Sequence, residues 1–275
     1  MFQDNIMKPK KRSNLRIIMG KSFYTFKRNI WWKFSNTKFA SKYSQNNLPY
    51  IFFTHKTPLI RQLKDDDMYL QYNKINNLKI AVSKLNKILV NPNETFSYWK
   101  LIGKPTYNKG YKDGMVLFCG MVGTGVGGGL CQLSNLIYWM TIHTPLTVVE
   151  RYRHSYDVFP DSNRTQPFGS GATCVYNYRD LIIKNDTKDI YELVLKITDE
   201  ELIGEWRVNN KPTCQYKVFE KEHSITHEFW GGYVRHNSLY REIYDKNSSV
   251  TEEFITENHA IMMYQPFLET SDIKN

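Results

Sequence analysis

Between Gly125 and Met140 the chain reads GVGGGLCQLSNLIYWM, with Gly125, Gly127, Gly128 and Gly129 directly ahead of Cys131. Glycine tolerates positive φ and lets another backbone come close. The residues after it are apolar or aromatic with few breaks. The stretch therefore predicts a tight turn that delivers the chain into a buried helix over 132–143, closed by Thr144-Pro145.

Three chemistries fit such a turn. Gly123, Gly125 and Gly128 match G-x-G-x-x-G, with Glu150 about twenty residues on, the pattern of a dinucleotide site. The alternating β and α units of that fold are missing, with only two amphipathic helices legible. A second reading makes the glycines a structural turn and Cys131 a core residue. In the third, Cys131 stands in the first turn of the helix, where unpaired backbone N–H groups favour a thiolate. The amides of Gly127, Gly128 and Gly129 would then serve as oxyanion donors. A thiolate nucleophile needs a base, and His154 follows the Pro145 turn at a distance that lets the chain return beside Cys131. His143, at the helix end, suits a cap better. His223 and His227 are four apart but lack a third ligand at usable spacing, so no metal is expected, and no cofactor motif is convincing.

A helix is expected from Lys74, with Ile75, Leu78, Val82, Leu85 and Leu89 on one face, until Asn91-Pro92. Leu48–Phe53, Met115–Cys119, Leu146–Glu150, Thr173–Tyr178, Leu181–Lys184 and Tyr191–Ile197 read as strands. Beyond Glu205 a meander is expected over 215–219, 225–229, 233–240 and 252–264, with turns at Gly231-Gly232 and Asp245–Ser249. The expected fold class is α+β, a mixed and mainly antiparallel sheet with two main helices followed by a β-meander. The expected organisation is a basic aromatic leader at 1–47, a core carrying the Cys motif at 48–204, and a β-meander extension at 205–275.

The net charge of +10 belongs to the leader, since residues 1–47 hold eleven Lys and Arg against Asp4 alone. With Phe23, Phe26, Trp31, Trp32 and Phe34 among the cations, the leader either packs a few rings on the body or lies on an anionic membrane surface. No nucleic-acid motif accompanies the charge, so nucleic acid is not an expected partner. No apolar core of a signal peptide and no membrane-spanning stretch is legible. The expected location is cytoplasmic, peripheral to the membrane. Cys119, Cys131, Cys174 and Cys214 contain no CxxC pair, which argues against a disulfide framework and predicts mostly buried thiols.

Several blocks then combine in order: Asn91-Pro92-Asn93-Glu94-Thr95-Phe96-Ser97-Tyr98-Trp99, Tyr111-Lys112-Asp113-Gly114, Gly127 to Leu136, His143-Thr144-Pro145, Glu150-Arg151, His154-Ser155, Ala172-Thr173 and Asn185-Asp186-Thr187. In order and spacing they resemble the VanW family over about 48–265, most closely its short stand-alone members. The resemblance implies a cell-wall connection, with an accessory role in resistance to glycopeptides that bind D-Ala-D-Ala. Some larger relatives imply an L,D-transpeptidase chemistry. Carried over, Cys131 is the nucleophile and His154 the base. Gln132, Ser134, Arg151 and Ser155 join the Gly127–Gly129 amides in binding a peptidoglycan peptide or precursor. Two positions depart from the family pattern: Gly171 stands where an aspartate is usual, and Tyr152 where many members have a histidine. Two functions are therefore expected as alternatives, a cysteine acyltransferase or amidohydrolase and a non-catalytic module that binds a precursor or a resistance enzyme.

Overall fold

The computed structural model describes residues 6–7, 10, 12–60, 68–118, 120–158, 166–245 and 250–266. A five-stranded antiparallel sheet runs β1 (Lys42–Tyr43), β3 (Ile88–Val90), β10 (Tyr191–Ile197), β11 (Glu201–Val208), β2 (Tyr50–Pro58). Along β11 Leu202, Gly204, Trp206 and Val208 are buried and the residues between them are not, the period-two signature of a sheet with one covered face. That face is covered by α2 (Met68–Leu85) and α4 (Cys131–Thr141). Gly204 sets the approach of α4: a Cβ there would stand 2.6 Å from the Met140 terminal methyl. The buried Trp206 indole N–H donates to Thr141 Oγ1 at 3.1 Å, so the core hides no unmet donor there.

α4 buries every residue from Leu136 to Thr141 and also Leu133 and Ser134, as a helix enclosed on nearly all sides does. A three-stranded sheet, β4 (Thr95–Ser97), β9 (Ile182–Lys184), β7 (Thr147–Glu150), meets it through β7, and the hairpin of β5 (Asp113–Phe118) and β6 (Met121–Val126) packs on α2 through β5. A short helix, α3 (Tyr98–Ile102), follows β4 directly. The meander consists of β12 (Cys214–His227), β13 (Tyr233–Asp245) and β14 (Val250–Met262), and β8 (Tyr156–Asp157) adds to β14 in parallel.

The α+β class and the β-rich C-terminal part hold, but four helices occur among the described residues where two were legible. The leader contains α1 (Asn14–Phe34). The helix expected to reach Leu89 ends at Leu85, because Lys87 takes φ 68° and turns the chain into β3. Ile88 and Val90 then face the core from a strand. The segment 173–178 is no strand; it holds one bridge, Val175 to Arg179, around a turn. The two short strands expected at 215–219 and 225–229 form one, with a bulge between Glu220 and Glu222 that carries the pairing through the charged stretch. Among the described residues no helix is long and apolar enough to cross a membrane.

Candidate functional site

The glycines answer two steric demands. Gly127 and Gly129 adopt φ of +75° and +88°, where L side chains are strained. Gly128 lies against Gly114 of β5 so tightly that a Cβ would stand 2.2 Å from the Gly114 carbonyl carbon. Asn77, fully buried on α2, locks this crossing: its amide donates to Lys112 O at 2.9 Å and Gly128 O at 3.0 Å, and its Oδ1 accepts from Lys112 N at 2.8 Å. The three glycine amides are engaged by the same crossing. Gly127 N donates to Lys112 O, Gly128 N to Gly125 O and Gly129 N to Met115 O. The oxyanion role expected of them therefore has no free N–H in this conformation.

Cys131 begins α4 behind Leu130, which supplies no side-chain cap. Cys131 as a residue is partly exposed, with its sulfur turned into the packing. Desolvation by the packed surroundings raises its pKa, while the backbone N–H groups of Cys174 and of Cys131 itself pull it back down. The net direction is upward, opposite to the depressed value expected at a helix start. The amides are present as expected, but two facing N–H groups do not offset the loss of water around the sulfur.

Sequence reasoning missed Cys174 because its neighbours read as a strand. It is buried, and its own thiol is pushed well up, first by burial and then by the nearby Asp180 and Cys131. Tyr98, fully buried, donates to Leu130 O at 3.0 Å and feels both cysteines, Tyr111 and Asp180. The Tyr111 hydroxyl is buried without a hydrogen-bond partner among the described residues, and its pKa is pushed up to about 12 by desolvation. Asp180 accepts from Ser97 Oγ, from Trp99 N at 2.9 Å and from Leu181 N at 2.9 Å. Burial still outweighs these donors and lifts its carboxyl to about 7. The signal for Asp180 was the serine at the N-cap of α3, whose partner lies eighty-three residues away and could not be read locally.

Of the remaining residues expected at the site, Gln132, Ser134 and Arg151 are hydrogen-bonded within the fold. Gln132 Nε2 donates to Pro58 O at 2.8 Å and Thr57 Oγ1 at 3.0 Å. Ser134 Oγ donates to Ala172 O at 2.7 Å. Arg151 clamps Gly169 O, Gly171 O and Asn258 Oδ1, with its guanidinium 4.9 Å from the Tyr138 ring centroid. His154 is not hydrogen-bonded to Cys131. Burial, then the Arg153 and Arg179 charges, lower its pKa to about 4. Ser155 lines a cavity of about 570 Å³ shared with Arg12, Arg179 and His259. At Gly171 a Cβ would meet Asn135 Oδ1 at 2.7 Å, and that oxygen accepts from Ala172 N at 2.8 Å. Glycine here therefore permits the Asn135 tie.

His143 caps Trp139 O and stacks on Phe53, with burial lowering its pKa to about 4. His223 Nε2 accepts from Arg235, and among the described residues no group of three or more His, Cys, Asp or Glu is placed to hold a metal ion. As residues, Cys174 is buried and Cys131 and Cys214 are partly exposed, while the thiols of both Cys131 and Cys174 are desolvated; Cys119 lies outside the described residues.

Residues 73–207 match the family described as VanW like protein. The chain is 36% identical over 186 residues to the vancomycin B-type resistance protein VanW of Enterococcus faecalis (strain ATCC 700802 / V583), covering 68% of each chain. It is 36% identical over 83 residues to the uncharacterized protein YoaR of Bacillus subtilis (strain 168), covering 30% of this chain and 27% of that one. No solved structure matches. The relationship to the enterococcal protein extends over two thirds of both chains and includes the glycine turn and Cys131 within the matched family region: the chain belongs to the VanW family.

Proposed function

We propose that this chain is an accessory protein of glycopeptide resistance that holds a cell-wall peptide or precursor at the surface formed by β6, the glycine turn and Cys131, without turning it over. The link to resistance comes from the enterococcal relative, whose name carries it. The observation that carries the binding reading is the open edge of β6, and the saturation of donors around Cys131 argues against turnover. The Gly127–Gly129 amides, Gln132, Ser134 and Arg151 are all bonded within the fold. Such a scaffold is rigid, and a rigid scaffold suits recognition. Beside it β6 is largely exposed and pairs with β5 alone among the described residues, an edge to which an extended peptide can add. Tyr111 supplies a buried hydroxyl in the same neighbourhood with a hydrogen bond still to make.

One observation favours a second reading, cysteine acyl transfer or amide hydrolysis on the same peptides. Cys131 is partly exposed as a residue, and two backbone N–H groups favour the ionised form of its sulfur. Titrating a synthetic stem peptide ending in D-Ala-D-Ala into wild type and Cys131→Ala, with mass spectrometry of both mixtures, separates the two. Equal binding with the peptide recovered intact is the expected result. Cleavage or exchange by wild type alone would hand the site to acyl transfer, and absence of binding to either protein would end the binding reading. Alkylation of Cys131 by iodoacetamide should climb only above the ordinary thiol value of 9.0.

A further inference from the structure

The helix α1 buries none of its residues. Leu15, Met19, Phe23, Phe26, Ile30 and Phe34 are all exposed. They recur at spacings of three and four, so they form one stripe along a helix roughly 30 Å long. Its last two turns are fastened to the body on the opposite side. Arg28 pairs with Glu150, Asn177 Nδ2 donates to Asn29 Oδ1 at 3.0 Å, Trp31 meets Phe39 edge-on at 5.2 Å, and Lys100 Nζ donates to Trp32 O at 3.3 Å. The stripe is thus held facing away from the protein. Exposed Arg16, Lys27 and Lys33 flank it at helical spacing, and the helix contains no acidic residue.

We propose that the outer face of α1 docks in the plane of an anionic lipid bilayer, with the apolar stripe at the boundary of headgroups and acyl chains and the flanking cations over acidic headgroups. A helix rich in cations on its flanks and in Phe and Leu on one face has this as its preferred solvent. Charge selects the occupant. A second copy docked stripe to stripe would bring two cationic helices together, whereas an anionic surface neutralises them. The helix lies on the membrane and does not cross it, since none of the described helices is apolar enough to span. The proposal is independent of whether Cys131 binds or reacts.

The test is co-sedimentation of the full chain with phosphatidylcholine vesicles, with and without phosphatidylglycerol. Binding should require the anionic lipid and weaken with added salt. The variant Lys27→Gln/Lys33→Gln should bind about 25-fold more weakly, at about fivefold for each basic residue near the surface. Phe23→Ser/Phe26→Ser should lose at least about tenfold through the apolar area no longer buried. Both variants alter exposed side chains and should keep the wild-type melting temperature. Cys131→Ala should bind vesicles as wild type does. Absence of binding to anionic vesicles would overturn the proposal. So would a dimer in sedimentation that Phe26→Ser dissociates, since the stripe would then belong to a second copy.

Discussion

Asp180→Asn tests whether the buried carboxyl titrates as the packing around it dictates. The carboxyl rises from an ordinary 3.8 to about 7, mainly through burial, with Ser97, Trp99 and the Arg28 charge opposing and Glu150 reinforcing. A proton held more tightly in the folded state than in the unfolded one contributes stability that is complete below the unfolded value and is lost as pH climbs through the folded value. At about 1.36 kcal/mol per pKa unit, wild type should lose roughly 2–3 kcal/mol between about pH 5 and pH 8 relative to the asparagine variant, with the difference levelling off above that. Asparagine keeps the Oδ1 that accepts from Trp99 N and Leu181 N, and its amide can exchange donor and acceptor roles with the Ser97 hydroxyl. Any cost of that exchange is a constant offset. The lowered His143 and His154 values act the other way, stabilising above the ordinary 6.5 and losing that contribution as pH falls toward about 4. They are present in both proteins, so the difference isolates Asp180. Urea denaturation followed by tryptophan fluorescence across this pH range gives the two curves. Parallel curves would mean that Asp180 is ionised or solvated in the native state, and the account of the packing around it would fail.

Gly128→Ala should fail to reach the native melting temperature by a wide margin, about 3 kcal/mol or more, because its Cβ meets Gly114 backbone that cannot yield. Gly123→Ala, whose Cβ meets only Val116 at 4.0 Å, should melt within a few degrees of wild type; equal melting of the two would refute the crossing. Arg28→Ala should cost about 1–3 kcal/mol by chemical denaturation, since it leaves Glu150 without its cation at a site where the paired side chains are 12% and 20% exposed. Lys217→Ala should cost less than about 0.5 kcal/mol, its pair with Glu242 being 3.9 Å apart and well exposed. A reversed order would show that α1 is not fastened through Arg28.

What could be read from the sequence was what short-range periodicity and turn chemistry encode. The helix following the glycines, β10 at its observed bounds and the Gly231-Gly232 turn all rest on neighbours within a few residues. The glycine cluster shows the limit of that reasoning. Its composition fits an oxyanion loop and a close crossing equally, and the deciding partner is Gly114, in another strand. Cys174 and Asp180 reach the surroundings of Cys131 only through tertiary packing, and nothing in their own segment marks them. The helix within the leader went unread for a different reason. The spacing of Leu15, Met19, Phe23, Phe26, Ile30 and Phe34 by three and four carries the helical signal of α1, and exposed Ile18 and Tyr24 and the interspersed cations blur its edges.

These long-range contacts make the leader part of the electrostatics around the thiols. Arg28 of α1 pairs with Glu150, whose carboxylate accepts from Asp180 N at 3.1 Å. The Arg28 charge holds Asp180 lower than burial alone would, and Asp180 in turn raises Cys174, which raises Cys131's neighbour Tyr98. Only the first link opposes a burial cost: withdrawing the Arg28 cation shifts Asp180 toward its protonated form, and a neutral Asp180 no longer raises the Cys174 thiol. A helix fastened to the body through that cation, with its other face turned outward, therefore has two surfaces with different work. The inner one keeps Asp180 near the edge of ionisation at neutral pH, and the outer one is open to a partner. Any partner that loosened α1 would be felt at Asp180 before it reached the sulfur of Cys131.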